Sequence, residues 1–202
     1  MEKVDHKKVF KELYKPSAKA PSIVEVPDMN FIMIDGKGDP NSSQEYADAL
    51  ATLYPLAFTL KFKLKKEGVA DYTVMPLEGL WWIEGKGSFY DSVKDDWSWT
   101  SMIMQPSPVT PEAVAEAIEE VREKNNPQAL SKARFKVYHE GLSVQIMHIG
   151  PWSEEQPTID RMHHFAEEQG YGLRGKHHEI YLSDPRRTAP EKLKTVVRQP
   201  IE

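Results

Sequence analysis

Two stretches of the chain, "IMIDGKGDP" running on into "QEYADAL" and later "IMHIGPWSEEQPTIDRM", spell the same order of local structure. Each opens as an apolar strand-like run, breaks at a glycine, passes acidic residues and continues at helical spacing. An order that recurs within 202 residues restricts the fold more than any composition figure, because both halves must bury the same kind of face. The expectation is an α+β fold of two pseudo-symmetric strand-helix-strand-strand modules, at about residues 22–106 and 110–202. Their antiparallel sheets would be joined, with helices on one face and a ligand cleft between the modules. Residues 1–21 read as an N-terminal extension and 22–202 as a single domain, a length sufficient to bury a core.

Within the first module, Ser42 and Glu45 form a capping-box pattern ahead of a helix that carries Tyr46, Ala49, Leu50, Leu53, Ala57, Leu60 and Leu64. Pro55 should bend this helix and Gly68 end it. "DYTVMPLEGLWWI" and "DDWSWTSMIMQP" read as strands joined by the polar loop "EGKGSFYDSVK". Thr110 as cap and Pro111 at the first helical position start the next helix, whose apolar stripe is Val114, Ala117, Ile118 and Val121. "RFKVYHEGLSVQIMHIG" is two strands or one bent strand around Glu140 and Gly141. A helix from about Glu154 to Gln169 follows, stopped by Gly170.

Composition removes several function classes. The net charge of -5 and the scattered short basic runs do not suit a nucleic-acid surface. No cysteine is present, so there is no disulfide framework or thiolate chemistry. The N-terminus lacks an apolar h-region and no run has bilayer length, which gives the expectation of a cytoplasmic protein that binds neither membrane nor DNA. No G-x-S-x-G, phosphate loop or H-E-x-x-H occurs, and the adjacent pairs His163/His164 and His177/His178 cannot both point at one ion in regular structure. Neither a metal nor a cofactor is expected.

The candidate chemistry lies in "HHEIYL". A strand period of two sends His177, Glu179 and Tyr181 to one face and His178, Ile180 and Leu182 to the other. Glu179 is therefore either a wetted edge residue or a carboxylate turned inward. Five Trp, eight Tyr and seven Phe are an ample ring supply. Trp97 and Trp99 share a strand face and would form a wall for a planar aromatic ligand or pack in the core. Of the adjacent Trp81 and Trp82 only one can join that wall, and Trp82 is favoured because Leu80 shares its face. Tyr90, beside Phe89 in the loop, is a candidate lid residue. Tyr54 lies beside Pro55, and His148 precedes a glycine turn as either a core histidine or a pocket donor.

"VQIMHIGPWSEEQPTIDRMHHF" and "HHEIYLSDPRRTAPEKLKTVVRQP", with "ATLYPLAFTLKFKLKKEG" and "WSWTSMIMQP", resemble the GyrI-like family of small-molecule-binding proteins over most of the chain. The resemblance implies two strand-helix-strand-strand modules and a glutamate of the last strand facing an aromatic pocket, a role that maps onto Glu179. The family includes drug-binding domains of multidrug regulators and inhibitors of DNA gyrase, so a gyrase contact is also implied as a possible partner role. Its Gly-Pro-Tyr turn reads Gly150, Pro151 and Trp152 here, so no hydroxyl role transfers. The ring-rich segment from Trp81 to Trp99 is similar to the free-standing subfamily that hydrolyses cyclopropanoid DNA-alkylating compounds. That likeness implies a hydrolase in which Glu179 activates water within an aromatic cage. The alternative is sequestration of planar or cationic drugs without turnover.

Overall fold

The helix over Gln44–Lys66 shows how local sequence sets the frame. Ser43 caps it by accepting the Tyr46 N–H at 3.3 Å, one residue later than the expected Ser42. Glu45 is consequently not a capping-box partner and instead accepts the backbone N–H of Lys37 and pairs with Lys132. Pro55 is accommodated inside the helix. Gly68, at a φ of +72°, ends it, with the Val69 N–H returning to the Leu64 carbonyl at 2.9 Å.

The computed structural model describes residues 2–85 and 92–202. Tyr90 and Phe89, candidate lid residues by sequence, lie outside the described residues. The elements in chain order are α1 (His6–Val9), α2 (Lys11–Tyr14), β1 (Ser22–Val26), β2 (Met29–Lys37), α3 (Gln44–Lys66), β3 (Leu77–Ile83) and β4 (Trp97–Gln105). They continue with α4 (Pro111–Lys124), β5 (Arg134–Tyr138), β6 (Gly141–Ile149), α5 (Gln156–Glu168), β7 (His177–Tyr181) and β8 (Lys194–Pro200). The fold is α+β with antiparallel pairing, and the chain divides into two units.

The first unit comprises residues 1–6, 29–75 and 81–138. Its strands run β5-β2-β4 and on to the second half of β3. The buried stripe of α3, from Ala49 through Leu53, Leu56, Ala57 and Leu60 to Leu64, packs on β2 and β4, and α4 lies against α3 with Val114, Ala117 and Val121 inward. Thr110 caps α4 by accepting the Ala113 N–H.

The second unit comprises residues 7–28, 76–80 and 139–202, with strand order β1-β6-β8-β7 and on to the first half of β3. The two orders correspond: a long strand, then the last strand of the module, then the strand after the helix, with one further strand edging the long one. The edging strands are exchanged in sequence, since β1 pairs with β6 and β5 pairs with β2. The stretch around Glu140 is a break between two strands. β8, drawn from "KTVVRQP", pairs with both β6 and β7, so Glu179 is on the penultimate strand rather than the last.

The second unit is held by a polar cluster that water does not reach. His178 on β7 donates from Nδ1 to Glu140 at 2.8 Å and from Nε2 to Glu78 of β3 at 2.9 Å. Arg198 of β8 donates to the other Glu140 oxygen at 3.0 Å, to Gln145 at 3.1 Å and to the Leu13 carbonyl at 2.8 Å. The Tyr14 hydroxyl donates to Glu78 at 2.8 Å and Gln145 donates to the Glu12 carbonyl at 2.7 Å, which ties α2 to the strands. Two carboxylates and two cations make the cluster formally neutral, and each carboxylate has partners on both oxygens. The face opposite Glu179, which also carries Ile180, is therefore partly ionic.

Burial lowers the His178 imidazole, but Glu140 and Glu78 outweigh it and raise the group to about 9. Burial likewise raises Glu140, and His178 with Arg198 outweigh it and hold the carboxyl at about 2. His178 thus contributes stability fully below the ordinary histidine value near 6.5, and this is lost as pH rises through about 9. Glu140 contributes above the ordinary glutamate value, and this is lost as pH falls towards about 2. Thermal melting of the wild type should therefore weaken through the alkaline limb, and His178→Gln, already less stable, should lack that limb. An equal alkaline decline in both proteins would contradict the assignment.

Candidate functional site

On the other face of β7 the strand period places His177, Glu179 and Tyr181 together. The Tyr181 hydroxyl donates to Glu179 Oε2 at 2.7 Å, and His177 Nε2 meets Oε1 at 3.1 Å. The Glu179 side chain is 15% exposed, whereas His177 is buried. Glu179 is thus turned inward, though not isolated from solvent.

A second carboxyl lies against it. Glu155 precedes α5 at the cap position, yet its side chain does not cap the helix. The group is buried, its Oε1 has no partner among the described residues, and the Glu179 carboxylate and the Thr195 hydroxyl lie beside it. A glutamate at a helix cap is an uncommon choice, and here the side chain is free for other work because the short-chain capping geometry is unused. Thr195 also accepts the indole N–H of Trp152 at 3.1 Å, and the Trp152 ring stands edge-on to Tyr181 at 5.6 Å.

Burial by itself would raise Glu179 and make it a stronger base. Its burial does act in that direction, but hydrogen bonds from His177 and Tyr181 and the neighbouring imidazoles prevail, so its carboxyl is lowered. The raised group is Glu155, through burial first and then the charge of Glu179. Two abutting carboxyls cannot both ionise cheaply, and their surroundings favour the charge on Glu179 and oppose it on Glu155. His163 of α5 is pushed down to about 4 by burial and by His177, so near neutral pH it adds no positive charge.

His148 is buried with both ring nitrogens engaged, Nδ1 with the Thr158 hydroxyl at 3.0 Å and Nε2 with the Pro151 carbonyl at 3.2 Å. It fastens the end of β6 to the start of α5. Among the described residues no group of three or more His, Asp or Glu is placed to hold a metal ion.

The tryptophans form a separate cluster in the first unit. Trp99 is fully buried opposite Gly36 of β2, where a side chain on Gly36 would run into the indole. The Tyr46 ring meets Trp99 edge-on at 5.1 Å and Trp81 at 5.8 Å, and Trp81 meets Trp97 at 5.6 Å and 66°. These ring contacts are tilted or edge-on rather than a flat wall. Trp97 is half-buried, with its N–H on Ser92 and Lys94 over its face. Trp81, rather than the favoured Trp82, is the indole set against Trp97. Leu80 did not discriminate between them because Leu77, Glu78, Leu80 and Trp81 are all buried, leaving neither face of that part of β3 open. Trp82 is half-buried and donates to Glu84 at 2.8 Å. Tyr54 sits on the outward side of α3, 39% exposed.

Sequence reasoning put Glu179 and Tyr181 on one strand face, where they are, set Trp81 aside for Trp82, and did not single out Glu155, Thr195 or Tyr46. The signal for Glu155 was present as a glutamate at a cap position where a shorter side chain is usual. An infrared difference spectrum at neutral pH should show one protonated carboxyl that vanishes in Glu155→Gln. Its absence from the wild type would contradict the shared-proton pair.

The sequence profile of the GyrI-like small molecule binding domain matches residues 19–202. The chain is similar, at 43% identity, to an uncharacterized conserved protein from Listeria innocua whose crystal structure superposes with a TM-score of 0.91 over 98% of this chain and 100% of that one. It is similar, also at 43% identity, to a hydrolase from Listeria innocua, with a TM-score of 0.88 and full coverage of both chains. The EcmrR C-terminal domain, at 12% identity and a TM-score of 0.55 over 90% of this chain and 96% of that one, shares the fold. A comparison with curated proteins returns no match.

Proposed function

The chain belongs to the GyrI-like small-molecule-binding family, and from that premise we propose that it is a hydrolase that opens the cyclopropane of cyclopropanoid alkylating compounds by adding water. The observation that carries the reading is the Glu179 carboxyl held between His177 and Tyr181 with a second buried carboxyl, that of Glu155, beside it. The similarity to a hydrolase from Listeria innocua along the full length supports an enzyme over a passive binder.

In this reading the substrate is a strained cyclopropane fused to a cyclohexadienone. Water attacks the ring carbon; a C–O bond forms, the cyclopropane C–C bond breaks, and the electron pair moves through the ring to the carbonyl oxygen, restoring aromaticity. Glu179 takes the proton lost by the water and releases it to solvent, from which the phenolate takes one. Relief of strain and aromatisation drive the step, so even a carboxylate of lowered basicity suffices when it positions the water. Tyr181, whose hydroxyl proton is committed to Glu179, orients the carboxylate rather than polarising the substrate carbonyl. Glu155 presents its protonated carboxyl to the same water and keeps the pair at a single negative charge. Ring surface near the pair is supplied by Trp152, which is 42% exposed and stands against Tyr181. Trp97 and Trp82, half-buried in the first unit, are the stacking candidates there.

Incubation of excess cyclopropanoid compound with catalytic protein should yield the ring-opened hydrate by mass spectrometry. Glu179→Gln should lower turnover roughly 100-fold or more with little change in affinity for a neutral planar ligand. Stoichiometric capture without product would make the protein a sequestering binder. Unchanged turnover in a folded Glu179→Gln protein would remove Glu179 from the chemistry.

A further inference from the structure

Ala47, Ala51, Tyr54, Phe58 and Phe62 follow one another along α3 at steps of three and four, on the side turned away from its core stripe. Tyr54, Phe58 and Phe62 are 39%, 45% and 57% exposed, and the two phenyl rings stack on each other at 6.4 Å. Lys61 lies over Phe62 at 4.3 Å. An outward helix face normally carries charge along its length, and a contiguous ring-bearing ridge with lysines only at its far end is the mark of an association surface.

The ridge changes from end to end in two respects, and both changes fit the same occupant. Ala47 and Ala51 are small in its first half, whereas Phe58 and Phe62 are large in its second. Asp48 flanks the small end and Lys66 flanks the large end, on the same side of the ridge, because they are 18 residues, or five helical turns, apart. Asp48 accepts from the neighbouring Gln44 amide and meets no cation among the described residues.

We propose that α3 is a homodimer interface, in which a second copy of this chain lays its own α3 antiparallel along the ridge. A two-fold axis passing between the helices at the level of Leu56 and Ala57 sets Phe62 over the Ala51 position of the second copy and Phe58 beside its Tyr54 position. The same axis keeps each flank on its own side, so Lys66 comes opposite the Asp48 position. Each contact occurs twice, as an isologous interface requires. A parallel pair would instead oppose Phe62 to Phe62 and Ala47 to Ala47, crowding one end, leaving a gap at the other and bringing no lysine to an aspartate. The inference is independent of the activity proposed above.

Sedimentation velocity of the full chain from about 1 to about 200 µM tests it, the range in which a small interface fills. A monomer–dimer equilibrium is expected, with Phe58→Glu weakening it more than tenfold while circular dichroism is unchanged. Asp48→Lys and Lys66→Asp should each weaken association about threefold to tenfold, and the double variant should recover wild-type behaviour. A monomer at every concentration overturns the proposal, as does a dimer indifferent to Phe58→Glu or a double variant that stays weakened.

Discussion

Glu140 accepts hydrogen bonds from His178 and from Arg198 where water is excluded, and the strand arrangement of the second unit depends on that neutralised carboxylate. Glu140 stands at the entry to β6, His178 on β7 and Arg198 on β8, while Glu78 extends the cluster to β3 and Tyr14 extends it to α2. Breaking such a cluster by removing one member leaves an uncompensated buried charge at a cost of about 3–5 kcal/mol. Apolar residues of equal volume would stabilise as well or better. What the ionic version adds is register: a one-residue slip of β7 would bring Glu179 rather than His178 between Glu78 and Glu140, a meeting of three carboxylates.

That register gives β7 its division of labour. His178 points to the ionic core, and its neighbours His177 and Glu179 necessarily point the other way, where Tyr181, Thr195 and Glu155 complete a second polar group. The two faces solve the problem of buried carboxylates differently. In the core each glutamate is matched by a cation. In the candidate site two glutamates lie together with a histidine and two hydroxyls, and burial with the charge of Glu179 favours a proton on Glu155. A proton held in this way is mobile, whereas the core pairs are fixed, and this difference marks the Glu179 face as the one suited to chemistry.

Periodicity and punctuation made much of this legible. The repeated strand-glycine-helix order announced the two corresponding strand arrangements, Thr110 and Pro111 opened α4 as expected, and the alternation in "HHEIYL" placed Glu179 with Tyr181. Three kinds of information were not local. The exchange of β1 and β5 depends on pairing partners more than a hundred residues away. The ionic nature of the opposite β7 face depends on Glu78 and Glu140, which no spacing rule connects to His178. The choice of Trp82 over Trp81 failed because β3 is buried on both sides there, so apolar neighbours carry no facing signal. The one-residue shift of the α3 cap has a simpler origin, since Ser42 and Ser43 are equally good caps and only the chain path from Gly38 selects between them.

The central claim is that a doubly hydrogen-bonded His178 imidazolium fixes β7 with Glu179 outward from the ionic core. Nitrogen-15 NMR of the histidine side chains across pH reads this directly. The account predicts that His178 carries protons on both ring nitrogens at neutral pH and titrates near 9. A neutral His178 at pH 7, with a single protonated nitrogen, would contradict it.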